Sequence, residues 1–357
     1  MWPPVAVTHL CAMRPVFRGT MSSTVPRWFS TLSLSMKQLG RLPWLLDALP
    51  SLPAPRGTVG ASEVPSLFRE PYILSGYRPV GQDWRCYILS LFQRHNELLN
   101  VWTHLLTVPV VLLRCGAFVG AQGLTLEAPS LPLLLYMLSA LTYLSFSTAA
   151  HLLQSHSELA HYSLFFLDYV GVGVYQYGCA LAHYFYGSEA AWRESTVGTL
   201  YLPGAALLAW LSCAGCCFAK VRYRRPYPLL RKVYQLVPTG LAYVLVISPI
   251  AHRLVLFFLM AAIFFSCPVP ERLFPGCCDI VGHAHQIFHI FLALCTLCQL
   301  EALLEDFLAQ RHSMLQVHRE GHLLLACASF PILVFCCAVT AGAMCSSVQK
   351  QLRLKHE

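Results

Sequence analysis

Apolar stretches of about 18 residues recur eight times along this chain, at 101–121, 131–153, 162–185, 200–219, 233–250, 254–270, 285–304 and 322–345. Roughly 20 such residues are needed for a helix to cross the ~30 Å hydrocarbon core of a bilayer. The pattern predicts an all-α, polytopic membrane helix bundle. Composition agrees: 56% of residues are hydrophobic and 12% are charged, against about 25% charged in soluble domains. That deficit excludes a disordered chain and argues against a soluble globular enzyme.

The spans divide the chain into a region 1–99, a bundle over 100–346 and a tail over 347–357. The first 20 residues lack the apolar core of a signal peptide, and Met21 is a second candidate start. Residues 28–49 are amphipathic, with Lys37 and Arg41 on the polar side. They read as a helix lying on the membrane or packed on its own domain.

The net charge of +8 is a topology signal. No motif that interleaves basic and aromatic residues for nucleic acid is present. If the N-terminus is cytoplasmic, 20 of the 25 Lys and Arg face the cytoplasm, six of them in the loop 220–232. The sequence therefore predicts cytoplasmic N- and C-termini. Most of the 16 cysteines lie inside apolar runs and read as packing residues. The spans at 233–250 and 254–270 are joined by only three residues, an unusually short connection.

Ionisable residues inside membrane spans are costly and usually functional. Ser147 and His151 lie four apart at the end of span two. Asp168 is near the start of span three, and His285 and His289 lie four apart at the start of span seven. An i, i+4 pair puts both imidazoles on one helix face. The predicted topology brings all of these residues to the cytoplasmic side at one depth. Three His with one or two oxygen ligands suit tetrahedral zinc, and three nitrogens leave a fourth position for water. Asp168 would hold that water or stand behind a ligand. Isolated histidines in hydrogen-bonded cores are the plainer alternative. Glu97, Asn100 and His104 form a second cluster at the entry to span one. They read as a polar lock, as contacts to a ligand head group, or as the ordinary polar end of an entering helix.

Six blocks, REPYILSGYRP, HNELLNVWTHLL, the Ser147–His151 pair, FLDYVG, PERLFPG and GHAHQIFH, occur in the order found in the progestin and adipoQ receptor family, which the chain resembles from about residue 65 to 306. The resemblance implies a seven-helix core with the N-terminus inside, plus an eighth C-terminal span in the progestin branch. It implies zinc on His151, His285 and His289, with Ser147 and Asp168 beside it. Progestin-branch members are plasma-membrane receptors for progesterone and neurosteroids that signal through inhibitory G proteins. Adiponectin-receptor relatives are linked to zinc-dependent ceramide hydrolysis. The expected partners are thus a steroid, a heterotrimeric G protein and membrane lipids. In a receptor, aromatic residues such as Phe165, Phe166, Tyr169, Tyr175, Tyr177 and Tyr184 would line the steroid pocket. Were the chain a hydrolase, Asp168 and Ser147 would be its catalytic residues. In a third reading, zinc only staples the helices. One departure is LVISP at 245–249, where the family motif resembles LDISP and Val246 takes the acidic position.

Overall fold

The computed structural model describes residues 54–123, 127–223 and 228–356. The amphipathic segment 28–49 lies outside these. Among the described residues, eight long helices follow the eight apolar stretches: α1 (Leu98–Gln122), α2 (Leu131–Leu153), α3 (Glu158–Ala182), α4 (Thr196–Arg222), α5 (Leu229–Ile247), α6 (Ala251–Ser266), α7 (Ala284–Gln310) and α8 (Glu320–His356). Seven are long and apolar enough to cross a membrane. The exception is α6, whose 16 residues reach only about 24 Å at 1.5 Å per residue.

Consecutive helices from α1 to α7 pack against one another, and α7 packs back on α1, which closes a ring. The eighth helix lies against α3 and α4. The chain is thus a seven-helix core with an added C-terminal span. That position makes α3 the most enclosed span, with 72% of its membrane-length window buried.

The polarity of α1 identifies its solvent. Its buried face carries Asn100, Val101, His104, Thr107 and Val111. Its exposed face carries Leu106, Val110, Leu112 and Leu113. A helix in water would reverse this arrangement. Here the apolar face meets lipid and the polar groups lie inside.

Close approach of α3 to α2 depends on glycine. Gly171 and Gly178, seven residues apart, face α2. A Cβ at Gly171 would lie 2.9 Å from the Tyr143 Cα, and one at Gly178 would lie 2.1 Å from the Ser139 Oγ. Small residues let membrane helices pack backbone to backbone. Gly178→Ala is therefore expected to cost about 1–3 kcal/mol. Thermal unfolding in detergent would register this as a drop of several degrees, partly recovered by Ser139→Ala in the same chain. An unchanged Tm would refute the packing argument.

Three details bear on the sequence reading. The connection from α5 to α6 is a single 3-10 turn, Ser248–Ile250, so the two helices abut without a loop. The last helix runs on to His356, so the tail expected after 346 continues α8. His183 is buried in a π-helical turn at the end of α3, where its Nδ1 donates to the Val246 carbonyl at 3.0 Å. Tyr201 donates to the same carbonyl at 2.8 Å. Val246 thus contributes its backbone oxygen to the packing of α3 and α4 against α5.

Candidate metal centre

His151 sits in the last turn of α2, and His285 and His289 lie in the first turns of α7. One ring nitrogen from each lies within 4.8 Å of the others. The Nε2 atoms of His285 and His289 are 3.2 Å apart. Two nitrogens on one tetrahedral zinc, at 2.0–2.1 Å each, would be about 3.3 Å apart. His151 and His289 are buried and His285 partly so. The three imidazoles therefore fit zinc in donor type and number, and the α7 pair also in spacing.

The segment before α1 sets these positions. Arg78 is buried and lies under the C-terminal end of α2. Its guanidinium donates to the carbonyls of His151 at 2.7 Å and Leu152 at 2.5 Å, and to Ser90 Oγ at 3.1 Å. Those carbonyls are among the last four of the helix, which have no partner within it. Burial pushes Arg78 down to about 10, so it stays charged at neutral pH. The same segment grips the approach to α7. Leu74 N and Ser75 Oγ donate to Asp279 at 3.0 and 2.7 Å. The Asn96 carbonyl accepts from His283 Nε2 and Gln286 Nε2, both at 3.0 Å. Glu271 accepts from the first α7 amide, Ala284 N, at 2.8 Å. The ends of two helices more than a hundred residues apart are thus tied to one short stretch of chain.

Glu97 stands directly behind the histidines. Its carboxylate accepts from His151 Nδ1 at 2.8 Å, Asn100 Nδ2 at 2.6 Å and Gln154 Nε2 at 2.8 Å. With its N–H given to Glu97, His151 turns its other nitrogen toward the α7 pair. A carboxylate behind a ligating imidazole fixes its tautomer and raises its basicity. Burial pushes His95 down to about 3, so the ring is neutral, and its Nδ1 accepts from the Glu97 amide at 3.1 Å. The cluster Glu97, Asn100 and His104 is therefore part of the same constellation. His104 packs on His289 with ring centroids 4.2 Å apart and meets the Tyr143 ring edge-on. Sequence reasoning did not single out Gln154 or Arg78. Gln154 follows His151 by three positions, which was a usable signal. Nothing local marks Arg78.

Asp168 is buried beside Ser147 and close enough to His151 and Lys220 to feel their charges. Lys220 Nζ sits 3.8 Å from the Phe165 ring centroid, and Phe165 meets His151 edge-on. The expected aromatic lining divides. Tyr175 points inward, donating to Gln299 Oε1 at 2.6 Å, beside Tyr143 and Thr296. Tyr177 turns to α8, with its hydroxyl 2.5 Å from Ser329 Oγ. Tyr184 stacks on Tyr201.

Comparison with known proteins gives the family. Residues 92–300 match the family model described as haemolysin-III related. The chain is 53% identical to membrane progestin receptor beta of pig, covering 94% of this chain and 99% of that protein. Identity to the mouse receptor beta is 54%, over 93% of this chain and 99% of the relative. Membrane progestin receptor alpha of Cynoscion nebulosus is 44% identical over 94% of this chain and all of that protein. The matched block opens just before Glu97 and closes after His289, so it takes in the three histidines and the Glu97 cluster, and the chain belongs to the haemolysin-III-related family.

Proposed function

We propose that this chain is a progestin receptor of the plasma membrane, with zinc held by His151, His285 and His289. The observation that carries this reading is the end-to-end similarity to proteins named membrane progestin receptor, at 53–54% identity over 99% of the beta relatives' length. The bundle suits such a ligand, because a steroid is apolar with few polar groups. It can enter from the bilayer and be oriented by a few polar contacts among helices.

The basic end of α4, with Lys220 and Arg222 in its last turn, lies at the same end of the bundle as the three histidines, Lys220 sitting on Phe165 and Phe165 meeting His151. Positive charge favours the cytoplasmic side. This supports a cytoplasmic N-terminus and a metal centre at the inner leaflet. The basic loop 220–232 offers a surface to an inhibitory G protein or to anionic lipid. Saturable binding of labelled progesterone to purified protein is the test. Its absence would end the receptor reading.

One observation keeps a second reading open, namely Ser147 and Asp168 beside a three-histidine cluster. Zinc, when bound, supplies a Lewis acid that polarises a carbonyl. The chain's own part would be Ser147 orienting the Asp168 carboxylate, and Asp168 taking a proton from an attacking water. Ceramide turnover that disappears in Asp168→Asn would favour a lipid amidase. Bound zinc without turnover would favour a structural metal.

A further inference from the structure

Gln176, near the middle of α3, is 0% exposed, yet neither atom of its carboxamide has a hydrogen-bond partner among the described residues. Buried amides are normally paired, and an unpaired one within a membrane is especially costly. The polar groups beside it do pair. Tyr136, Tyr143 and Tyr175 all reach Thr296 of α7, and Tyr175 also reaches Gln299. His104 also lacks a hydrogen-bond partner among the described residues, but it packs on His289 at the histidine cluster, whereas Gln176 lies away from it.

Its face of α3 can be placed. Cys179 and His183, three and seven positions on, lie on the same side of the helix. Cys179 meets Gln299 of α7, and His183 meets Val246 of α5. This side therefore looks into the interior of the ring. The side facing α8 is a different one, marked by Tyr177 against Ser329 and Phe330. Gln176 is also eight residues from Asp168, about 12 Å along the helix, and so stands clear of the metal centre.

We propose that Gln176 is the polar anchor of a ligand site inside the ring, its amide N–H donating to a ketone oxygen of a steroid-sized apolar ligand. A chain that recognises an apolar molecule with few oxygens needs a dry donor with no protein partner competing for it. Among the described residues Gln176 is such a donor, and its carbonyl remains to accept from a hydroxyl. The proposal rests on the progestin reading.

The test uses the full chain in lipid nanodiscs, labelled progesterone, and analogues in which one ketone is replaced by a methylene. Gln176→Met and Gln176→Leu keep the volume and remove both polar atoms. Each is expected to weaken progesterone binding at least about tenfold. Neither should lower the ligand-free Tm, because no protein hydrogen bond is lost. For one of the two ketones, the methylene analogue should bind the wild type less well than progesterone does, yet bind the variants no worse. Variants that bind progesterone within twofold of wild type overturn the anchor and leave the receptor reading standing. A Tm loss of several degrees in both variants also overturns it, because the amide is then a structural group. A wild type that binds no progesterone overturns the receptor reading and the anchor together.

Discussion

Replacing His285 or His289 with alanine is expected to weaken zinc binding about a hundredfold. Zinc sites with four protein ligands bind with an apparent ~10–16 kcal/mol. One ligand is then worth about 3 kcal/mol, or roughly two powers of ten. Here the loss falls on a site whose other members are already held, since Arg78 and Glu97 fix His151 and the Asn96 carbonyl holds the start of α7. The remaining nitrogens will not drift to compensate. Competition against a chromophoric chelator measures the affinity directly. A second readout is stability. A chelator should lower the Tm of the wild type and leave that of His289→Ala nearly unchanged. Wild-type zinc affinity in both alanine variants would remove these residues from the metal centre.

The convergence of the three histidines was legible in the sequence because span counting is a strong constraint. With eight runs read as crossings, each reverses direction, so the end of span two and the starts of spans three and seven fall at one leaflet, and the structure brings His151, His285 and His289 together although α6 has only 16 residues. The i, i+4 spacing of His285 and His289 then fixes a common face. What stands behind the ligands was harder to read. Glu97 was visible as a polar residue at a helix entry, but its pairing with His151 spans 54 positions and depends on how α1 leans on α2. Arg78 lies in a segment of 3-10 turns and short helix without periodicity, and only the folded chain shows that it caps the helix bearing His151. Gln176 was invisible for another reason. A glutamine in an apolar run reads as ordinary core, and its lack of partners becomes a fact only once every neighbour is placed. Counting eight apolar runs was correct. That the seventh helix closes the ring on the first, leaving the eighth beside α3 and α4, depends on packing geometry that no run length encodes.

Glu97→Gln is the smallest change with a large expected effect. The native carboxylate accepts three hydrogen bonds, from His151, Asn100 and Gln154. A carboxamide of the same shape turns one of its two heavy atoms into a donor, so at least one of the three neighbours faces another N–H. Hydrogen bonds to a charged group contribute about 1.5–3 kcal/mol each, and a buried group left unpaired adds its own desolvation cost. A loss of about 3 kcal/mol of stability is expected. Metal affinity should fall about 10- to 100-fold as the His151 ring loses the partner that orients it. The contrast is the Arg114–Glu301 pair between α1 and α7. Its geometry is equally close, at 2.6 Å, but its side chains are 41% and 49% exposed. Exposed ion pairs contribute about 0–1 kcal/mol, so Arg114→Ala should change Tm little and zinc affinity not at all. Thermal unfolding and chelator competition on the two variants side by side decide the matter. If Glu97→Gln matched the wild type in both measurements while Arg114→Ala did not, burial would not be what gives the Glu97 carboxylate its weight.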